Sequence, residues 1–135
     1  MNNWTEFLSD DHLIKEIYGQ KSPDIHQVHV HDIMAKAFEN DVYLRFDVRD
    51  FPTTVPKKWL VNSYNRVQLT LGLIGATSIQ INMNECKSLF SLSIQRYGVD
   101  IVLEAKSEGS SIHVVAPLLI LSKISGYLDS GDDGL

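Results

Sequence analysis

The hydrophobic pattern changes period once along the chain. Near the start, Phe7, Leu8, Leu13, Ile14, Ile17 and Tyr18 recur at roughly helical spacing. Ser9 or Asp10 can cap such a segment, the Asp10-Asp11 pair suits the positive end of a helix, and Gly19 stands where a helix stop belongs. One or two short helices are expected over Asn3 to Tyr18, and Pro23 blocks their continuation. After that, apolar and polar residues alternate. Ile25 to Phe38 is rich in strand formers but changes face near His31 to Ile33, which predicts a bulge. Val42, Leu44, Phe46 and Val48 then point one way, with Tyr43, Arg45 and Asp47 on the other side and Glu39-Asn40-Asp41 as the preceding hairpin turn. Val67, Leu69, Leu71 and Leu73 repeat the pattern, with Arg66, Gln68 and Thr70 outward.

Four more alternating runs follow: Ile79 to Met83, Phe90 to Ile94, Val99 to Ala105 and Ile112 to Ala116. Leu118 to Leu128 is apolar at both periods, which leaves two assignments, a last strand or a short helix. Between the second and third strands, FPTTVPKKWLVN (51–62) reads as a proline-bracketed loop in which Trp59 either plugs the core as a lid or stands exposed. Strands joined by short turns predict a mostly-β α+β fold: an antiparallel meander sheet with one polar face and a short N-terminal helical segment. One domain over 1–128 is expected, with 129–135 as a flexible acidic tail.

Composition narrows the function classes. Hydrophobic residues make up 44% and charged residues 21%, an ordinary globular balance. Twelve basic against 17 acidic residues give a net charge of −5. A phosphate backbone needs a basic footprint, so no nucleic-acid partner is expected, whereas a basic protein is electrostatically easier. Lys57-Lys58 beside Trp59 is too small a patch to change that. Cys86 stands alone, so the chain forms no internal disulfide. MNNWTEFLSDD lacks the basic and apolar parts of a signal peptide, and the longest apolar run, VVAPLLIL (114–121), holds a proline. A cytoplasmic location and no membrane partner are the expectation.

Candidate chemistry is thin. In HQVHVHD (26–32), His29 and His31 share a face on a regular strand, as metal-binding His-x-His pairs do. A small metal-dependent hydrolase would need a further ligand, such as His113 or an aspartate, and no spacing supplies a full shell. Cys86 with His113 is a conceivable nucleophile pair, though a lone structural cysteine is the commoner case. The pairs Asp47/Asp50 and Asp10/Asp11 have structural uses at a strand end and a helix start. The eight glycines are scattered at turns and make no phosphate loop, so no cofactor is expected.

LRFDVRDFP (44–52), PKKW (56–59) and YNRVQLTL (64–71) together resemble the immunity protein 50 family. IYG (17–19) and GYL (126–128) are similar to that family too. The resemblance runs from about Trp4 to Tyr127 and thins between Asn82 and Phe90. It implies a role and no reaction: families of this kind stand beside bacterial polymorphic toxins, and each member neutralises one. The expectation is therefore a non-enzymatic immunity protein that binds a cognate toxin domain, with a basic nuclease as the partner the charge favours. The expected contact residues are the polar strand face, Tyr43, Arg45, Asp47, Arg66 and Gln68, with the acidic turn residues Glu39 and Asp41. The oligomeric state is left undetermined, with pairing through an exposed sheet edge as one further role.

Overall fold

The computed structural model describes residues 3–52, 55–84 and 89–128, so Cys86 and the 129–135 tail lie outside the described residues. The alternating segments form eight strands: β1 (His29–Lys36), β2 (Asp41–Val48), β3 (Arg66–Ile74), β4 (Ser78–Asn82), β5 (Ser91–Tyr97), β6 (Asp100–Ser107), β7 (Ser110–Ala116) and β8 (Leu118–Tyr127). They divide into two antiparallel sheets of four strands, in the orders β1-β2-β3-β8 and β4-β7-β6-β5. The mostly-β α+β class expected from the sequence forms as two sheets, each containing a three-strand meander. Leu44, Phe46, Leu69 and Leu71 from one sheet and Leu92, Ile94, Leu103 and Val114 from the other are buried in one core cluster. Their alternation is what sends every second side chain inward.

The last segment is a strand. β8 pairs with β3 along its whole length, from Leu118↔Ile74 to Tyr127↔Arg66. Only Pro117 separates it from β7, so a bend at that proline carries the chain from one sheet into the other. A second crossing shortens the first strand. The expected strand from Ile25 begins only at His29, because Ile25 and Val28 hydrogen-bond to Leu92 and Phe90 beside β5 before the chain joins the other sheet. The predicted bulge is present: Val30 pairs with Phe46 and Asp32 with Arg45, which leaves His31 as the extra residue.

At the N-terminus, a 3-10 turn (Trp4–Phe7) and α1 (His12–Tyr18) occupy the expected segment. Trp4 is fully buried, and its indole N–H donates to the Pro23 carbonyl at 2.9 Å. Asp10 accepts the His12 N–H at 3.0 Å, Asp11 pairs with Lys15 at 3.0 Å, and Ile14 and Ile17 face the core. Gly19 closes the helix at φ +70°, in the left-handed region.

The proline-bracketed segment is not wholly a loop. Pro56 precedes a short helix, α2 (Lys57–Val61), and a proline there fits because the first helical turn lacks internal N–H partners anyway. The helix stops with Ser63 in the left-handed region, the Tyr64 N–H on the Trp59 carbonyl and the Ser63 N–H on the Leu60 carbonyl, which is a Schellman ending. Helix formation turns Trp59 inward, where it is 6% exposed, so the lid reading holds. The indole packs against Gly126 of β8. A Cβ there would come within 2.7 Å of Trp59 Cδ2 and 3.0 Å of Tyr64 Cδ2, closer than such atoms pack. Gly126→Ala should therefore lower the unfolding free energy by about 1–3 kcal/mol, read as a reduced urea midpoint with an unchanged slope.

Candidate functional site: the outer face of the β1-β2-β3-β8 sheet

Antiparallel pairing places the outward residues of four strands side by side. Opposite pairs include Asp32↔Arg45 and Met34↔Tyr43 between β1 and β2, Asp47↔Gln68 between β2 and β3, and Arg66↔Tyr127 between β3 and β8. The centre of this face is Asp47, which is only 5% exposed. A carboxylate out of water needs partners, and among the described residues it has three. Gln68 Nε2 donates to Oδ1 at 3.2 Å, His31 Nε2 lies 3.0 Å from Oδ2, and the Tyr127 hydroxyl donates to Oδ2. The bulge supplies the histidine: as the unpaired residue of β1, His31 is free to lean across the strand pair.

The network continues from Gln68, whose Oε1 accepts Arg45 Nη1 at 3.1 Å. Arg45 in turn donates Nε at 3.1 Å and Nη2 at 2.6 Å to Asp32 Oδ2. Those hydrogen bonds hold the Asp32 carboxyl below the usual carboxylate range and push the Arg45 guanidinium up. Next along β2, the Tyr43 ring lies over Gly72 against Ile120. A Cβ on Gly72 would come 2.9 Å from Tyr43 Cε1 and 2.8 Å from Ile120 Cγ1, so the glycine lets both side chains settle on the β3 backbone. Lys36 Nζ stands 5.2 Å from the Tyr43 ring centroid. A shallow depression of 440 Å³ opens here, lined by Asp32, Met34, Lys36, Tyr43, Arg45, Thr70 and Ser122, and Met34 is 57% exposed.

The structure brings Tyr43, Arg45, Asp47, Arg66 and Gln68 onto one face, as their alternation predicts. Asp47 differs from the exposed contact residue expected: it is buried beneath its partners. Arg66 lines a second hollow with His29 and Asp47 at the end of the face. Asp41 lies at the start of β2 and accepts the Gly75 N–H at 2.9 Å, while Glu39 is exposed in the turn before it. Asp32, His31 and Tyr127 complete the network without having been singled out for it. Asp32 and His31 were visible in HQVHVHD, but their role depends on the bulge. Tyr127 lies 80 residues from Asp47, and nothing local announces that pairing.

The histidine pair is close, with ring centroids 5.0 Å apart in an edge-on arrangement, but His31 is turned onto Asp47. His113 lies on β7 in the other sheet, between Gln80 and Glu104, with its Nδ1 buried and without a hydrogen bond among the described residues. Among the described residues, no group of three or more His, Cys, Asp or Glu side chains could hold a metal ion. The carboxylate pairs do structural work: Asp50 accepts the Asp24 N–H at 3.1 Å, and Asp10 accepts the N–H of His12, the first residue of α1. Among the described residues, no helix is long and apolar enough to cross a membrane.

Asp47→Asn tests the network directly. Gln68, Tyr127 and His31 all approach the carboxylate as partners for an acceptor, and an amide would turn an N–H₂ towards one of them. The substitution should cost about 1–3 kcal/mol of stability by chemical denaturation, as for other buried groups left unsatisfied.

The chain was also compared with known proteins. No curated protein and no solved structure matches it. One family profile does, that described as Immunity protein 50, over residues 10–127. The match takes in α1, both sheets and all the residues of the outer-face network. On that match, covering most of its length, the chain belongs to the Immunity protein 50 family.

Proposed function

We propose that the protein is a non-catalytic immunity protein that binds a cognate bacterial toxin domain in the cytoplasm and blocks its active site or substrate channel. The outer face of the β1-β2-β3-β8 sheet is the docking surface in this reading. The observation that carries it is the ordered state of that face: Tyr43 is seated on Gly72, and Arg45 is held between Asp32 and Gln68. Tyrosine and arginine are the residues that most often anchor protein interfaces, and anchors fixed in advance lose little entropy on binding. Exposed Met34 adds apolar area beside them. The net charge of −5 favours a basic partner, such as a nuclease domain, by speeding encounter.

The test co-expresses this protein with the C-terminal domain of the protein encoded beside it, and scores growth. Rescue by the parent chain is expected. Tyr43→Ala and Arg45→Ala should each weaken binding of the purified pair by about tenfold or more, as hot-spot truncations do. Lys106→Ala, on the other sheet, should leave affinity unchanged. A toxic neighbour that is neither rescued nor bound would contradict the reading.

A further inference from the structure

Two four-stranded sheets present four edges, and three of them carry devices that block pairing with another chain. β1 is interrupted by the bulge at His31 and carries Asp32 and Lys36. β8 has a second bulge, at Ser122, carries Lys123, and is met at Leu119 by Leu8 and by the Ser9 N–H at 2.9 Å. β5 is met at its start by Val28 and Ile25, and carries Arg96 over the Phe7 ring. β4 has none of these. Ser78–Asn82 pairs with β7 through an unbroken register, and among the described residues no strand or bridge meets its other edge. From Ile74 to Asn84 the chain contains no charged residue and no proline. Ile81, on the core side of β4, is 41% exposed, and Met83 just beyond it is 49% exposed.

The sequence of that edge is self-complementary. SIQIN reads as polar-apolar-polar-apolar-polar from either end, centred on Gln80. Antiparallel pairing about a two-fold axis at Gln80 sets Ile79 opposite Ile81 of the second copy, twice, and Ser78 opposite Asn82. A slip by one residue would set isoleucine against polar residues, and a slip by two would leave two of the five strand residues outside the strand pairing, so the register centred on Gln80 is the one that pairs the whole strand. A two-fold interface requires a surface that complements itself, and an uncharged palindromic edge meets that requirement.

We propose that this chain self-associates as a two-fold dimer through β4. The sheets of two copies then join edge to edge, and Ile81 and Met83 of each copy are covered by the other. The pairing lies on the sheet opposite the proposed toxin-docking face, so it stands or falls independently of the immunity reading. Two five-residue strands make a small interface, so the dimer is in concentration-dependent equilibrium with monomer.

Light scattering or sedimentation of the purified full chain across a concentration series tests this. The parent chain should move from monomer mass to dimer mass as concentration rises. Gln80→Lys changes an exposed residue and sets two lysines against each other on the axis, so it should remain monomeric with an unchanged circular-dichroism spectrum. Lys36→Glu, on the β1 edge, should dimerise like the parent. If Gln80→Lys loses its fold, Gln80→Cys in a Cys86→Ser chain replaces it, and mild oxidation should then yield a disulfide-linked dimer. A parent chain that stays monomeric throughout overturns the proposal. So does a Gln80→Lys variant that dimerises as well as the parent, or a Gln80→Cys chain that does not cross-link.

Discussion

The burial of one carboxylate organises the outer face of the β1-β2-β3-β8 sheet. Asp47 reaches its partners only if β1 and β3 are in register with β2, and β8 with β3. His31 comes from the first, Gln68 from the second and Tyr127 from the third. A strand slipped by one residue would turn its apolar side chains out of the core, and would also leave this carboxylate buried without a donor. Hydrophobic burial supplies the driving force for the sandwich; Asp47 helps select which arrangement of strands that force produces.

The same network bears on the docking role proposed for this face. Arg45 is a long side chain that would ordinarily sample many conformations at a strand surface. Here Asp32 and Gln68 grip it from both sides, and the Gln68 amide is itself oriented by Asp47. The position of Arg45 thus depends on a residue it does not touch. Tyr43 is ordered by a different means, the missing side chain at Gly72. The two proposed anchors are therefore fixed by independent devices on successive outward positions of β2, next to exposed Met34.

Much of the fold could be read from alternation alone. The inward sets on β2 and β3, the bulge near His31 and the helical start at Asp10 and Asp11 all follow from local chemistry. What escaped was long-range. The strand character of Leu118–Tyr127 is decided by β3, which offers it a full ladder, and not by its own doubly apolar pattern. Trp59 sits on a helix because Pro56 and the Ser63 turn permit one there, and its burial depends on Gly126 in a distant strand. For the site, alternation placed Tyr43, Arg45, Arg66 and Gln68 on a common face but marked Asp47 as exposed. Its burial arises from His31 and Tyr127, one brought in by a bulge and the other by the closing strand.

The most direct measurement is chemical-shift mapping of the isotope-labelled chain as the toxin domain is added. The account predicts that perturbations concentrate on Met34, Tyr43, Arg45 and Gln68, with the outward residues of β6 and β7, such as Glu104 and His113, unmoved. Perturbations centred on Glu104 and His113 instead, with the Arg45 and Tyr43 signals unchanged, would contradict it.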